Sequence, residues 1–181
     1  MGFDPIQYKT ATRQQWEDSA EAWDRWGPTL DAWLGEATDQ MLEAAGVRAG
    51  AEVLDVAAGA GGQTLAAARR VGPRGPGSGD RHLTDHPLLR GEGAARAELT
   101  NVETLEAGAE ALGTLAEGAF DAVISRLGLM YFPDRHLALT GMSRVLREGG
   151  GCPRGRGVPR GQRPDPAGPA EASLGRRVRP F

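Results

Sequence analysis

The stretch "AEVLDVAAGAGGQTLAAARRVG", Ala51 to Gly72, limits what this chain can fold into more than any other. Val53, Leu54 and Val56 form a short apolar run around Asp55, the signature of a strand buried on both faces. Small residues then carry the chain straight into a helical pattern from Gln63 to Val71. Gly59, Gly61 and Gly62 permit positive φ and close approach of another molecule, and a helix starting there offers free backbone N–H groups. Strand, loop and helix in this order open a βαβ unit, which implies an α/β domain with a parallel sheet. Such sheets bind ligands beyond the carboxyl ends of their strands. Taken alone, the glycine loop is also open to a plain tight turn. Neither G-x-G-x-x-G nor G-x-x-x-x-G-K-[ST] is present, which weakens a nicotinamide-dependent oxidoreductase reading.

The flanking sequence extends the pattern in both directions. "TRQQWEDSAEAWDRW" predicts an amphipathic helix with Trp16, Ala20 and Trp23 on one face, ended by Gly27 and Pro28. "PTLDAWLGEATDQMLEAAGV" predicts a second, with Leu30, Trp33, Leu34, Met41, Leu42 and Ala45 inward and Gly46 as its stop. These tryptophans serve either to seat a helical cap or to line a pocket. "TNVETLEAGAEAL" reads as a strand and turn, and Asp121 to Ser125 as another strand. "PDRHLALTGMSRVLREGG" predicts a helix with Pro133 near its first turn, Ala138, Met142, Val145 and Leu146 inward, and Gly149 at its end.

Composition excludes several classes. No apolar run reaches the roughly 18 residues of a membrane span, and the first residues lack a signal-peptide core. The single cysteine, Cys152, leaves no internal disulfide and fits a reducing cytoplasm. His82, His86 and His136 lack metal-ligand spacing with acidic or Cys partners, and no general base stands out. Residues 151–181 hold six Gly, six Pro and seven Arg against only Asp165 and Glu171, on an otherwise acidic chain. That tail predicts disorder. A nucleic-acid arm is its functional alternative, ranked last because Phe181 is its only aromatic.

The motifs together resemble class I S-adenosylmethionine-dependent methyltransferases, in the type 11 branch similar to ubiquinone/menaquinone-biosynthesis C-methyltransferases. Motif I of that family has the form D-x-G-x-G-x-G, and Asp55, Ala57, Gly59 and Gly61 stand at those places, Ala57 replacing the first glycine. "FDAVISRLGLMYFPD" and "MSRVLREGG" are similar to the later motifs. The resemblance covers roughly residues 5–150, excepting 75–92. It implies a Rossmann-like, mainly parallel sheet with flanking helices at 49–150, after a helical cap at 1–48. It also implies S-adenosyl-L-methionine as cofactor and a small-molecule methyl acceptor. Asp55, Ala57, Gly59, Gly61 and Thr64 would surround the methionine part and ribose. Gly108 and Ala109 fall where an Asp followed by Ala holds adenine, so Gly108 is a departure that removes a carboxylate. Ser125 would lie under the sulfonium at the end of the fourth strand.

One segment breaks the pattern. The family's second strand, ending in a ribose-binding acid, should lie within "RGPGSGDRHLTDHPLLRGEG", Arg74 to Gly93. A set of codons for Pro76 to Leu88, read one base later, gives "RVLATDIS" followed by "PTIL", a strand, its carboxylate and a helix start. The segment is therefore expected to be translated out of frame, with a second shift from Gly151 replacing and truncating the rest. Loss of strands two and five would leave both central strands as bare edges and impair the enzyme through weak cofactor binding and aggregation. Asp80 and Asp85 are the remaining candidates for the ribose acid.

Overall fold

The structure, a computed structural model, describes residues 3–73, 82–84 and 101–151. Helix α1, Pro5–Asp18, starts where Asp4 accepts hydrogen bonds from the backbone N–H of Ile6 (2.9 Å) and Gln7 (3.2 Å), with Pro5 as first helical residue. It ends at Ser19, whose hydroxyl donates to the Gln15 carbonyl at 2.8 Å. Helix α2 then runs from Ala20 to Ala44. The break thus falls at Ser19, and Gly27-Pro28, expected to end the first helix, lies inside α2. Pro28 costs α2 one backbone hydrogen bond. The carboxyl-terminal part of α2 is anchored by Leu42 and Ala45, each 1% exposed, on the sheet. Trp33, expected inward, is 76% exposed.

Strand β1, Val53–Asp55, lies parallel to β4, Phe120–Ile124, with Val53 beside Ala122 and Asp55 beside Ile124. Helix α3, Gly62–Val71, follows β1, and its end is closed by Asn101, whose Nδ2 donates to the carbonyls of Ala68 (2.9 Å) and Gly72 (2.8 Å). A 3₁₀ helix, Ala109–Thr114, precedes β4, and a shorter one, Gly128–Tyr131, follows it. Helix α4, Arg135–Val145, is capped by Asp134, which accepts from the Leu137 N–H at 2.8 Å.

Two expectations are corrected here. The helix predicted to reach Gly149 stops at Val145, and Leu146–Gly151 forms β5, parallel to β4. Glycine is a poor helix former, and these glycines let backbones meet. A Cβ on Gly150 would lie 2.8 Å from the Asp121 carbonyl, and one on Gly151 would overlap the Ala45 backbone. With β5 in place, β4 is not a bare edge, and the sheet order is β1-β4-β5. The second expected loss is also partly made good. The backbone of β2, His82–Thr84, pairs parallel with β3, Thr104–Glu106, as a separate two-stranded sheet near β1. Strand β1 itself is hydrogen-bonded only to β4 among the described strands. The rest of 75–92, including Asp80 and Asp85, and the tail from 152 onward lie outside the described residues.

Alternation along β1 and along 122–124 of β4 sends side chains to two clusters, and Phe120, across a register irregularity from Ala122, shares the cluster of Val123. Leu54, Phe120 and Val123 meet Ala138, Met142 and Val145 of α4 and Leu112 on one face. Val53, Ala122 and Ile124 meet Leu42 of α2, its C-cap Ala45, and Ala67 and Val71 of α3 on the other. Full burial of each Leu, Val, Ile or Phe contributes about 1.5–3 kcal/mol. Among the described residues, no helix is long and apolar enough to cross a membrane. The clusters hold the carboxyl ends of β1 and β4 side by side, and both open toward the cap.

Candidate functional site

At those strand ends lies a cavity of about 570 Å³. One end is formed by the loop after β1, with Ala57, Ala58, Gly59, Ala60, Gly62 and Gln63. The other is formed by the cap and the loop after β4, with Trp16, Trp23, Leu30, Trp33, Met130 and Tyr131. Trp16 stacks on Trp23 with ring centroids 5.0 Å apart and meets Tyr131 edge-on at 5.4 Å. The tryptophans therefore line the pocket, Trp33 at its rim, more than they fill a core.

The loop adopts the conformation its glycines allow. Gly59 and Gly61 have φ of 57° and 86°, and Gly61 precedes the first turn of α3 with no side-chain cap, so the helix N-terminus keeps free donors. Ala57, in place of glycine, keeps the same left-handed backbone at φ 61°. That conformation costs a residue with a Cβ about 1–2 kcal/mol, so the surrounding fold imposes it.

Asp55 is wholly buried behind the loop. Its carboxyl accepts from Thr64 Oγ1 at 2.5 Å and from Gln63 Nε2 at 3.5 Å, and Gln63 also donates to the Ala58 carbonyl at 3.0 Å. Burial pushes Asp55 up from 3.8 to about 7, against the opposing hydrogen bonds of Thr64 and Gln63 and the charge of Arg126. Asp55 and Thr64 thus brace the loop from below and do not line the cavity. Ser125, the residue after β4, has its Oγ buried without a hydrogen-bond partner among the described residues. It lies beside Gly128, where a Cβ would come within 2.6 Å of Ser125 Oγ and 2.7 Å of Ala57 Cβ. Gly128 and Ala57 line the cavity, so an unspent hydroxyl stands directly behind its wall.

The third wall comes after β3. Gly108 lines the cavity and Ala109 is buried beneath it in the core. Glu110, also lining, accepts from Lys9 Nζ of α1 at 2.7 Å and from the Asp134 N–H at 3.3 Å. Burial would raise its carboxyl, but Lys9 and the two backbone donors outweigh that and hold it below the usual range. Of the residues singled out in the sequence, Ala57, Gly59 and Gly108 touch the cavity, while Asp55, Gly61, Thr64, Ala109 and Ser125 support it. Sequence reasoning missed Asp31, Arg126 and Glu110, which line it with charge. A signal existed for Arg126, which directly follows Ser125. Asp31 carried none, since its place depends on how α2 crosses α3.

Among the described residues no group of His, Cys, Asp and Glu is arranged to hold a metal ion. The donors at the cavity include an orphan hydroxyl, a helix N-terminus, a backbone cradle and the Arg126 guanidinium. They suit an organic ligand with polar and apolar parts.

Comparison with known proteins shows what the chain is similar to. The chain is 38% identical over 110 residues to an uncharacterized protein of Mycobacterium tuberculosis, covering 61% of this chain and 38% of that one. It is 38% identical over 120 residues to the ubiquinone/menaquinone biosynthesis C-methyltransferase of Hahella chejuensis, covering 60% of this chain and 44% of that one. The chain therefore spans less than half the length of these relatives. Among solved structures, the YcgJ protein of Bacillus subtilis is similar at 25% identity and a TM-score of 0.56, covering 64% of this chain and 48% of that one. A SAM-dependent methyltransferase of Aquifex aeolicus shares the fold at 21% identity and a TM-score of 0.53, covering 61% and 58%. The model of one family matches residues 33–153, most of the chain and all of its described strands. On that match, the chain belongs to the ubiE/COQ5 methyltransferase family.

Proposed function

We propose that this chain carries an S-adenosylmethionine-dependent methyltransferase site acting on a small-molecule acceptor, with the cofactor at the glycine-loop end of the cavity and the acceptor at the aromatic end. One observation carries the reading: a single cavity joins a positive-φ loop and a helix N-terminus to a wall of tryptophans. The same observation supports a division at about residue 48, the cap serving the acceptor and residues 49–150 the cofactor. When bound, the cofactor supplies a methyl group already activated on a sulfonium. The chain's own part is then to bind, orient and keep water out, since aligned reactants gain most of the available rate from positioning. The Ser125 hydroxyl is free to donate at the wall, and Trp16, Trp23 and Tyr131 hold the acceptor's apolar body. The family match supports this reading, and no comparison favours an oxidoreductase or a nucleic-acid binder. A cytoplasmic site of action fits the lone Cys152. The impaired-binding expectation turns on the ribose acid, whose candidates Asp80 and Asp85 lie outside the described residues.

Three of the four tryptophans line the cavity, which makes fluorescence the direct test. S-adenosylhomocysteine is expected to quench them saturably and NADH to leave them unchanged. Quenching by NADH alone, or by neither, overturns the proposal.

A further inference from the structure

Two opposite charges face the cavity at its glycine-loop end, and the packing of the fold does not account for both. Arg126 is half-buried and donates from Nη1 to Thr38 Oγ1 at 2.8 Å. Thr38, 3% exposed on α2, passes its own hydrogen to the Leu34 carbonyl at 2.8 Å. That contact uses one corner of the guanidinium and leaves the rest of its planar fork without a carboxylate among the described residues. Asp31 lies seven residues before Thr38, two turns away on the same face of α2. Its carboxylate reaches the first turn of α3, where a Cβ on Gly62 would overlap Asp31 Oδ1. Asp31 and Arg126 sense each other, because Asp31 is the foremost charge supporting the guanidinium against its burial. Yet they make no direct ion pair with each other. Both line the cavity together with Gly59, Ala60 and Gln63.

A carboxylate and a guanidinium held apart at one end of a cavity match a ligand that carries both signs close together. An α-amino acid, with ammonium and carboxylate on one carbon, is the smallest common group of that kind. Leaving a half-desolvated guanidinium without an anion is costly, and a ligand carboxylate on its free N–H groups removes that cost with charge-assisted bonds. The other charged side chains that line the cavity are already paired, Lys9 with Glu110 and Arg13 with Glu17, so Asp31 and Arg126 are the two charges left for the head. We infer that Asp31 and Arg126 are the receptor for the amino-acid head of the cofactor, Asp31 taking its ammonium and Arg126 its carboxylate. The inference rests on the reading that this cavity binds S-adenosylmethionine. It adds two binding residues from outside the glycine loop and makes the cap helix α2 part of the cofactor site.

The test compares two probes by calorimetric titration of the full chain. S-adenosylhomocysteine carries the amino-acid head, whereas 5′-methylthioadenosine keeps the nucleoside and sulfur and lacks the head. Asp31→Asn and Arg126→Gln should each weaken S-adenosylhomocysteine by about 10-fold or more while 5′-methylthioadenosine stays within about 2-fold, because only the former loses a charge-assisted contact. The double variant should bind both probes alike. Equal loss for both probes in Asp31→Asn, or no loss for either, overturns the inference. Asp31 is exposed, so this variant carries the test even where Arg126→Gln fails to fold, as circular dichroism would show. Failure of the underlying reading looks different, since the wild-type chain would then bind neither probe.

Discussion

Helix α1 and strand β4 both border the cavity, the strand through the loop that follows it, and they are held in opposite ways. Four of the five residues of β4 are buried, flanked by strands on both sides and by a hydrophobic cluster on each face. Helix α1 buries no residue, and Ile6 on it is 79% exposed. It meets the body through the Lys9–Glu110 ion pair and the contact of Trp16 with Tyr131. The glycine-loop end is therefore fixed by the same contacts that fix the fold, whereas part of the aromatic end rests on contacts that can be released without unfolding the core. Such a division suits a site that must hold one ligand while another enters and leaves.

The strongest way to break this comparison is a matched pair of truncations. Phe120→Ala removes a side chain 2% exposed in the larger cluster and should cost about 3–5 kcal/mol in urea unfolding followed by tryptophan fluorescence. Ile6→Ala should fall within about 0.5 kcal/mol of the parent. A cost for Ile6→Ala near that of Phe120→Ala would mean that α1 belongs to the core after all.

The next effect depends on pH. Asp55 is raised to about 7 in the folded chain from an ordinary 3.8, so the folded state binds its proton more tightly than the unfolded state does. Its contribution to stability is full below about pH 4, declines as pH rises, and is lost above about pH 7, a change of at most about 4 kcal/mol. Glu110 and Asp121 are shifted the other way and favour folding as pH rises. Both stay in Asp55→Asn, so the difference between the two proteins isolates Asp55. Unfolding free energies measured from pH 4 to 8 should show wild type losing ground to Asp55→Asn across that window. A difference independent of pH would mean that Asp55 is ionised in the fold, as a solvated loop carboxylate would be.

How much of this was legible in the sequence follows from the same division. The run around Asp55, the apolar face of α4 and the strand at 120–124 were readable because burial imposes a period on the residues themselves. Gly59 and Gly61 were readable because positive φ selects for glycine. The sequence misled where a residue's local preference lost to its surroundings. Pro28 reads as a break yet lies inside α2, whose far end is anchored on the sheet. The glycines after Arg147 read as a helix stop and the beginning of a tail, yet they form β5, since only residues without a Cβ fit against the backbones of Asp121 and Ala45. Trp33 has the right spacing for burial and faces the pocket mouth, which spacing alone does not distinguish. Asp31 was invisible because it reaches the cavity only when α2 has docked on α3, and Arg126 showed only as the residue after Ser125, its bond to Thr38 of α2 depending on the same docking.

The smallest expected effect sharpens the comparison most, because it separates stability from mobility. Lys9 is 46% exposed and Glu110 11%, so the pair sits at the edge of solvent and should be worth only about 0.2–1 kcal/mol. Lys9→Gln would scarcely move the unfolding midpoint. If that pair is what seats α1, however, its loss acts on a local opening, and amide exchange in α1 should quicken by about 2–5-fold while β1 and β4 exchange as before. High salt offers an internal control, since it screens an exposed pair and should quicken α1 in the wild type but add nothing in Lys9→Gln. Unchanged exchange in the variant would assign the seating to Trp16 and Tyr131. The cap would then open only when a ligand displaces an aromatic contact, coupling its motion directly to what occupies the cavity.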